Sequence, residues 1–131
     1  MTRRELRENV FKMLFRVEFH EEGEMTEQIG LLDEEIENIK EDDLQYMNQK
    51  CNDIIAKLEE IDEAINAATT GWKTTRMAKV DLSIIRLAVY EIKFEEDIPT
   101  KVSINEAVEL AKKYGADESA SFVNGVLAKF V

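Results

Sequence analysis

The sequence predicts an all-α fold, and three observations carry that expectation. Only one proline and five glycines interrupt 131 residues, so few positions oppose helix formation. The charged residues, 34% of the chain, are concentrated in Glu and Lys, both good helix formers. Apolar residues recur at spacings of three and four through most of the chain, the mark of one-sided helices. One region, residues 68–81, lacks that rhythm. It divides a single domain of about six to seven helices into halves of roughly 1–70 and 76–131.

The elements follow in order. From Arg4 to Phe19 a helix face is drawn by Leu6, Val10, Met13, Leu14 and Val17, and "EEGE" (Glu21–Glu24) breaks it. A second helix spans about Thr26 to Ile39, with Ile29, Leu32, Ile36 and Ile39 in register. Asp42 or Asp43 is placed to cap a long third helix, whose stripe runs Leu44, Met47, Cys51, Ile54, Ile55, Leu58, Ile61 or Asp62, and Ile65. "ATTGWKTTRMAKVD" (Ala68–Asp81) reads as a connection with at most a short helical turn, Trp72 anchoring it against the core.

Asp81 is then the expected N-cap of a helix from Leu82 to Phe94, apolar over more than half its circumference and therefore central. Pro99 disfavours helix at Ile98. The sequence Ser103-Ile104-Asn105-Glu106 has the form of a capping box that starts the next helix. Lys112, Lys113 and Gly115 stop that helix, and Asp117 opens a last one through Phe130.

A domain of this length buries roughly two-thirds of the surface its unfolded chain exposes, so it needs neither disulfide nor metal to fold. Cys51 is the sole cysteine, which fits a reducing, cytoplasmic setting. No segment approaches the roughly 18 apolar residues of a membrane span, and no signal peptide is expected. The formal charge of −11 argues at first against a nucleic-acid partner. Its distribution weakens that argument. Residues 1–16 carry five basic side chains (Arg3, Arg4, Arg7, Lys12, Arg16) against two acidic; residues 17–63 carry three against seventeen; residues 64–131 carry nine of each. With a Debye length of about 8 Å at physiological salt, a basic end acts independently of a distant acidic face.

Catalytic constellations are lacking. His20, the only histidine, lies at a helix end and reads as a surface residue. There is no H-E-x-x-H, no cysteine pair and no G-x-x-x-x-G-K-[ST]. Acidic pairs such as Glu34/Glu35 and Glu59/Glu60 are adjacent and diverge around a helix, whereas acid–base chemistry needs carboxylates aimed into one cleft. Cys51 sits on an apolar stripe and reads as a packed thiol. No enzyme, metal or cofactor is expected.

Two features point to binding. Arg3, Arg4 and Arg7 are spaced three and four apart on the first turns, where cations oppose the helix dipole. They are either a solvated basic end or a phosphate-binding patch. The second feature is "FVNGVL" (Phe122–Leu127). Val123, Val126, Leu127 and Phe130 share one helix face at 100° per residue, so the Asn-Gly pair is not a turn. Gly125 points away from that face and costs about 1 kcal/mol relative to alanine, which suggests a close approach from outside. Phe122 falls at the stripe's edge near Ser119, Ser121 and Lys129, in a position to stack on an unpaired base. On the residues alone, ordinary packing stands slightly ahead of RNA stacking.

"DIPTKVSINEAVELAKKYGADESASFVNGVLAKF" (Asp97–Phe130) resembles the C-terminal signature of the bacterial transcription antitermination family NusB. "DLSIIRLAVYEI" (Asp81–Ile92) resembles the helix before it, and "RRELRENVFKMLF" (Arg3–Phe15) its Arg-rich first helix. The resemblance implies an all-α fold of two small packed helical bundles. It implies binding of the boxA element of nascent ribosomal RNA transcripts, jointly with NusE, a small-subunit ribosomal protein, within an RNA polymerase antitermination complex. The implied RNA contacts are Arg3, Arg4, Arg7, Phe122 and Asn124; Arg76 and Asp81 are assigned to the NusE surface. A homodimer covering Phe122 is a further expectation, in which dimerisation masks the RNA site. Two other readings stand beside this one. One is a protein-docking module working through its acidic faces without RNA; the other is the RNA-recognition domain of a larger RNA methyltransferase.

Overall fold

The computed structural model describes the backbone of residues 1–131 and every side chain except that of Glu22. Its α-helices are α1 (Arg3–Phe15), α2 (Met25–Glu35), α3 (Glu41–Ala56), α4 (Leu58–Ala68), α5 (Lys79–Phe94), α6 (Thr100–Tyr114) and α7 (Ser119–Leu127). Short 3-10 turns follow α1 and α7 and precede α2 and α5. Among the described residues there is no strand, and no helix is long and apolar enough to cross a membrane.

Two compact units make up the chain, Met1–Ala56 and Lys57–Val131. Their boundary lies upstream of the 70–76 stretch, at a break that apolar spacing conceals. Lys57 leaves the helical region (φ −107°, ψ 10°), so the expected long third helix is α3 followed by α4. Ile54 and Ile61 are both buried on either side of the break, and the stripe therefore continues in sequence although the backbone turns.

In the first unit, α1 packs on α2 and α3. It buries Leu6, Val10, Phe11, Met13 and Leu14 against Met25, Ile29 and Leu32 of α2 and Met47, Cys51 and Ile54 of α3. Its start is fixed by a capping box at Thr2: the Glu5 amide donates to Thr2 Oγ1 (3.1 Å) and the Thr2 amide to Glu5 Oε1 (3.3 Å). Both α1 and α2 end earlier than periodicity suggests. The first gives way to a 3-10 turn at Arg16–Phe19, and the second ends at Glu35, with Ile36 extended.

In the second unit, α5 is the central element, contacting α4, α6 and α7. Every residue from Asp81 to Glu91 is buried. The helix begins before Asp81, with Ala78 as N-cap; Asp81 stands in the first turn, where a carboxylate suits the helix dipole. Likewise α6 starts at Thr100 with Pro99 as N-cap, because proline has no amide hydrogen to lose there and its φ is already helical. Ser103 therefore lies inside the helix. It is buried and donates from Oγ to Glu91 Oε1 of α5 (2.8 Å), so it partners a buried carboxylate and does not cap. Gly115 ends α6 as expected, and packing accounts for it: an added Cβ would collide with Ser119 and the Ala111 carbonyl oxygen. Ser119 Oγ accepts from the Ala116 amide (2.9 Å), which closes the turn into α7.

Candidate nucleic-acid interface

The basic end lies in the first unit. Arg3 and Arg4 occupy the first turn of α1 and are exposed, whereas Arg7 is only 9% exposed. The expected triad of surface arginines is thus a pair plus a buried third member. Phe11, one turn after Arg7, is also buried, so the buried arc of α1 extends to this side of the helix. Farther along, Lys12 pairs with Glu8 (3.8 Å). Arg16 donates to Gln28 Oε1 (3.1 Å) and lies 3.8 Å from Glu35.

An aromatic groove lies in the second unit. Trp72 is 54% exposed, so it does not anchor the connecting stretch against the core. Its ring stands edge-on to Phe122, with centroids 5.4 Å apart and planes at 66°. Both rings line a groove of about 300 Å³. Thr69, Thr70 and Trp72 line one side; Ser121, Phe122, Gly125, Val126 and Lys129 line the α7 side.

The loop holding Trp72 is fastened at several points. Gly71 takes φ +83°, a conformation other residues rarely adopt. Thr69 Oγ1 lies 2.6 Å from the Trp72 carbonyl oxygen, and Asn66 Oδ1 accepts from the Thr74 amide (2.8 Å). On α7, Val123, Val126 and Leu127 are buried and Phe122 is partly exposed. Gly125 faces outward, and a Cβ there meets nothing within 4 Å. Asn124 is exposed but lies outside the groove lining; two residues on from Phe122, it points to a different side of the helix.

Arg76 is exposed and Asp81 is 8% exposed. Asp81 Oδ1 is buried without a hydrogen-bond partner. The remaining candidates carry little chemistry. His20 lies 4.0 Å from Glu24. Cys51 is fully buried, and burial, reinforced by the Asp33 charge, pushes its thiol up to about 12. Among the described residues no group of His, Cys, Asp or Glu is arranged to hold a metal ion.

Thr69, Thr70 and Trp72 are the groove residues that sequence reasoning did not place beside Phe122. The available signal was compositional: the one tryptophan stands in the least periodic stretch, among threonines, where an aromatic side chain has no helix face to join.

The fold is all-α, with arginines at one exposed helix start and an aromatic groove beside another helix. Residues 4–131 match the model of the NusB family. A transcription antitermination protein NusB from Agathobacter rectalis is 68% identical over 130 residues, spanning 99% of each chain. Among solved structures, T. maritima NusB is 36% identical with a TM-score of 0.88, covering 99% of this chain and 90% of that one. A crystal structure of the antitermination factors NusB and NusE in complex with dsRNA is 27% identical with a TM-score of 0.83, covering 98% of this chain and 94% of that one. The chain belongs to the NusB family, a family of antitermination factors and not of enzymes.

Proposed function

We propose that this chain is a cytoplasmic transcription antitermination factor that binds boxA-type single-stranded RNA of nascent ribosomal transcripts together with NusE, and that the complex makes RNA polymerase resistant to termination. The observation that carries the reading is the groove beside α7, in which Phe122 presents a partly exposed ring next to Lys129. Aromatic faces take unpaired bases of any sequence, and cations nearby track the backbone. Family membership and the similarity to a NusB structure holding NusE and dsRNA support the same reading.

In this reading Arg3 and Arg4 hold phosphates through their guanidinium forks, and Phe122 stacks on a base. Arg7, being largely buried, orients α1 and reaches phosphate only with its outer edge. Asn124 contacts RNA from outside the groove. Arg76, which is exposed, and Asp81, of which only an edge reaches the surface, belong to the NusE-facing side. A homodimer that covers Phe122 competes with RNA; a molar mass independent of concentration rules that arrangement out.

The test is a binding titration with a boxA-containing single-stranded RNA, with and without NusE, across a range of salt. Each phosphate contact removed should flatten the log–log salt slope by about 0.7. Arg3→Ala and Arg4→Ala are expected to lower the slope, and Phe122→Ala to weaken binding about 5-fold or more with the slope unchanged. Unaltered binding in all three variants refutes the site; binding to NusE with no RNA affinity at any salt favours a protein-docking module.

A further inference from the structure

We propose that the groove beside α7 is a slot for a single unpaired nucleobase of RNA, with Trp72 as its second wall and Gly125 as its open floor. The proposal rests on the RNA-binding reading above and adds two residues, a stoichiometry and a steric requirement to it.

The ring geometry sets the stoichiometry. Planes at 66° with centroids 5.4 Å apart form a corner, not a parallel sandwich. The two rings already touch, so a planar group cannot enter between them and stacks on the groove side of one ring with the other at its rim. The volume agrees: about 300 Å³ lies at the low end of the roughly 300–1,000 Å³ typical of ligand clefts.

Trp72 is also held in place. Gly71 at φ +83° and the Thr69 hydroxyl, 2.6 Å from the Trp72 carbonyl oxygen, fix the backbone while the indole remains 54% exposed. A large apolar ring kept half in water by an ordered loop is suited to a partner that stacks.

Gly125 supplies an independent argument. Glycine is among the least favoured residues within a helix, and here nothing in the chain uses the space it leaves: an added Cβ meets no atom within 4 Å. The space opens into the groove, so its use lies with whatever enters. Lys129, one turn beyond Gly125 and also on the lining, provides the cation for the phosphate of the entering nucleotide, and the hydroxyls of Thr70 and Ser121 can bond the edge of any base. A base with its phosphate matches all of these features, whereas an aliphatic side chain of a protein partner uses only the rings.

The experiment combines a side chain that fills the floor with the loss of the wall. Gly125→Leu, Gly125→Ala, Trp72→Ala and Trp72→Phe are titrated with a single-stranded RNA carrying 2-aminopurine at each position in turn. Thermal melts establish folding, and NusE binding is measured in parallel. In the wild type, 2-aminopurine fluorescence is expected to be quenched at one position. Gly125→Leu should remain folded, lose that quench and bind RNA about 5-fold or more weakly, with NusE affinity unchanged. Gly125→Ala should weaken binding measurably but less than Gly125→Leu, Trp72→Ala should weaken binding about 5-fold or more, and Trp72→Phe should recover most of it.

Wild-type RNA affinity in both folded Gly125→Leu and Trp72→Ala, alongside a loss in Phe122→Ala, overturns the slot and leaves the RNA-binding reading standing. No RNA binding by the wild-type chain overturns both. Loss of NusE binding with RNA binding intact in Gly125→Leu assigns the groove to protein and also overturns the slot.

Discussion

Removing the carboxylate of Asp62 should destabilise the second unit by about 2–3 kcal/mol, and the value follows from one ion pair. Arg86 of α5 donates through Nε to Asp62 Oδ1 (2.9 Å) and through Nη2 to Asp62 Oδ2 (2.7 Å), a two-pronged contact joining α5 to α4. The arginine side chain is 10% exposed and the aspartate 24%. Deleting one partner of a buried pair typically costs about 3–5 kcal/mol, because the other charge remains without its counterion in a poorly solvated place. Asp62 already touches water, and water entering the space relieves part of that cost, which places the estimate below the usual range.

The assay is urea unfolding of Asp62→Ala followed by the emission of Trp72, the chain's only tryptophan and a member of the second unit. At a slope of about 1–3 kcal/mol per molar urea, the midpoint should fall by roughly 1–2 M. Asp62→Leu combined with Arg86→Met should recover most of the loss, since an apolar pair of similar size has no charge to desolvate. A midpoint shift below about 0.3 M in Asp62→Ala, or no recovery in the double variant, refutes the reasoning.

Two glycines should respond in opposite directions to the same substitution. Gly125→Ala, with open space at its Cβ, should stabilise by about 0.5–1 kcal/mol. Gly115→Ala drives a methyl group into Ser119 and the Ala111 carbonyl oxygen and should destabilise by about 1–3 kcal/mol; thermal melts of the pair check both signs. Cys51 should resist alkylation at pH 8 in the native state and react readily in urea, because its thiol is raised to about 12; equal rates contradict the packing. The folded thiol holds its proton more tightly than an unfolded one at about 8.5. The associated stability is therefore complete below that pH and declines as pH rises toward about 12, a slope that Cys51→Ala should lack.

The helices were legible because their apolar faces repeat: α5, α6 and the buried side of α7 lie close to where spacing puts them. The misread boundaries have two causes, a local signal overruled by a neighbour and a backbone break that leaves the apolar phase intact. Ser103 and Glu106 have the form of a capping box, yet Pro99 starts α6 earlier and Ser103 becomes the partner of buried Glu91. The break at Lys57 left no trace, since Ile54 and Ile61 remain in phase and only backbone geometry separates α3 from α4. For the candidate interface, the position of Phe122 at the edge of its stripe was readable from a helical wheel. Trp72 was not. Its place beside Phe122 depends on a loop turned by Gly71, about fifty residues away in sequence, and no periodicity reports such a contact. The burial of Arg7, unlike the exposure of Arg3 and Arg4, was not readable from spacing, because it depends on what α1 packs against.

The most direct test of the central claim is terminator read-through on a template whose leader carries boxA, transcribed with RNA polymerase, NusE and the other elongation factors but no other NusB-family protein. Adding this chain should raise read-through on the boxA template, leave a boxA-scrambled template unchanged, and lose its effect in the Phe122→Ala variant. Read-through that is the same with and without the chain, or equal on both templates, contradicts the account.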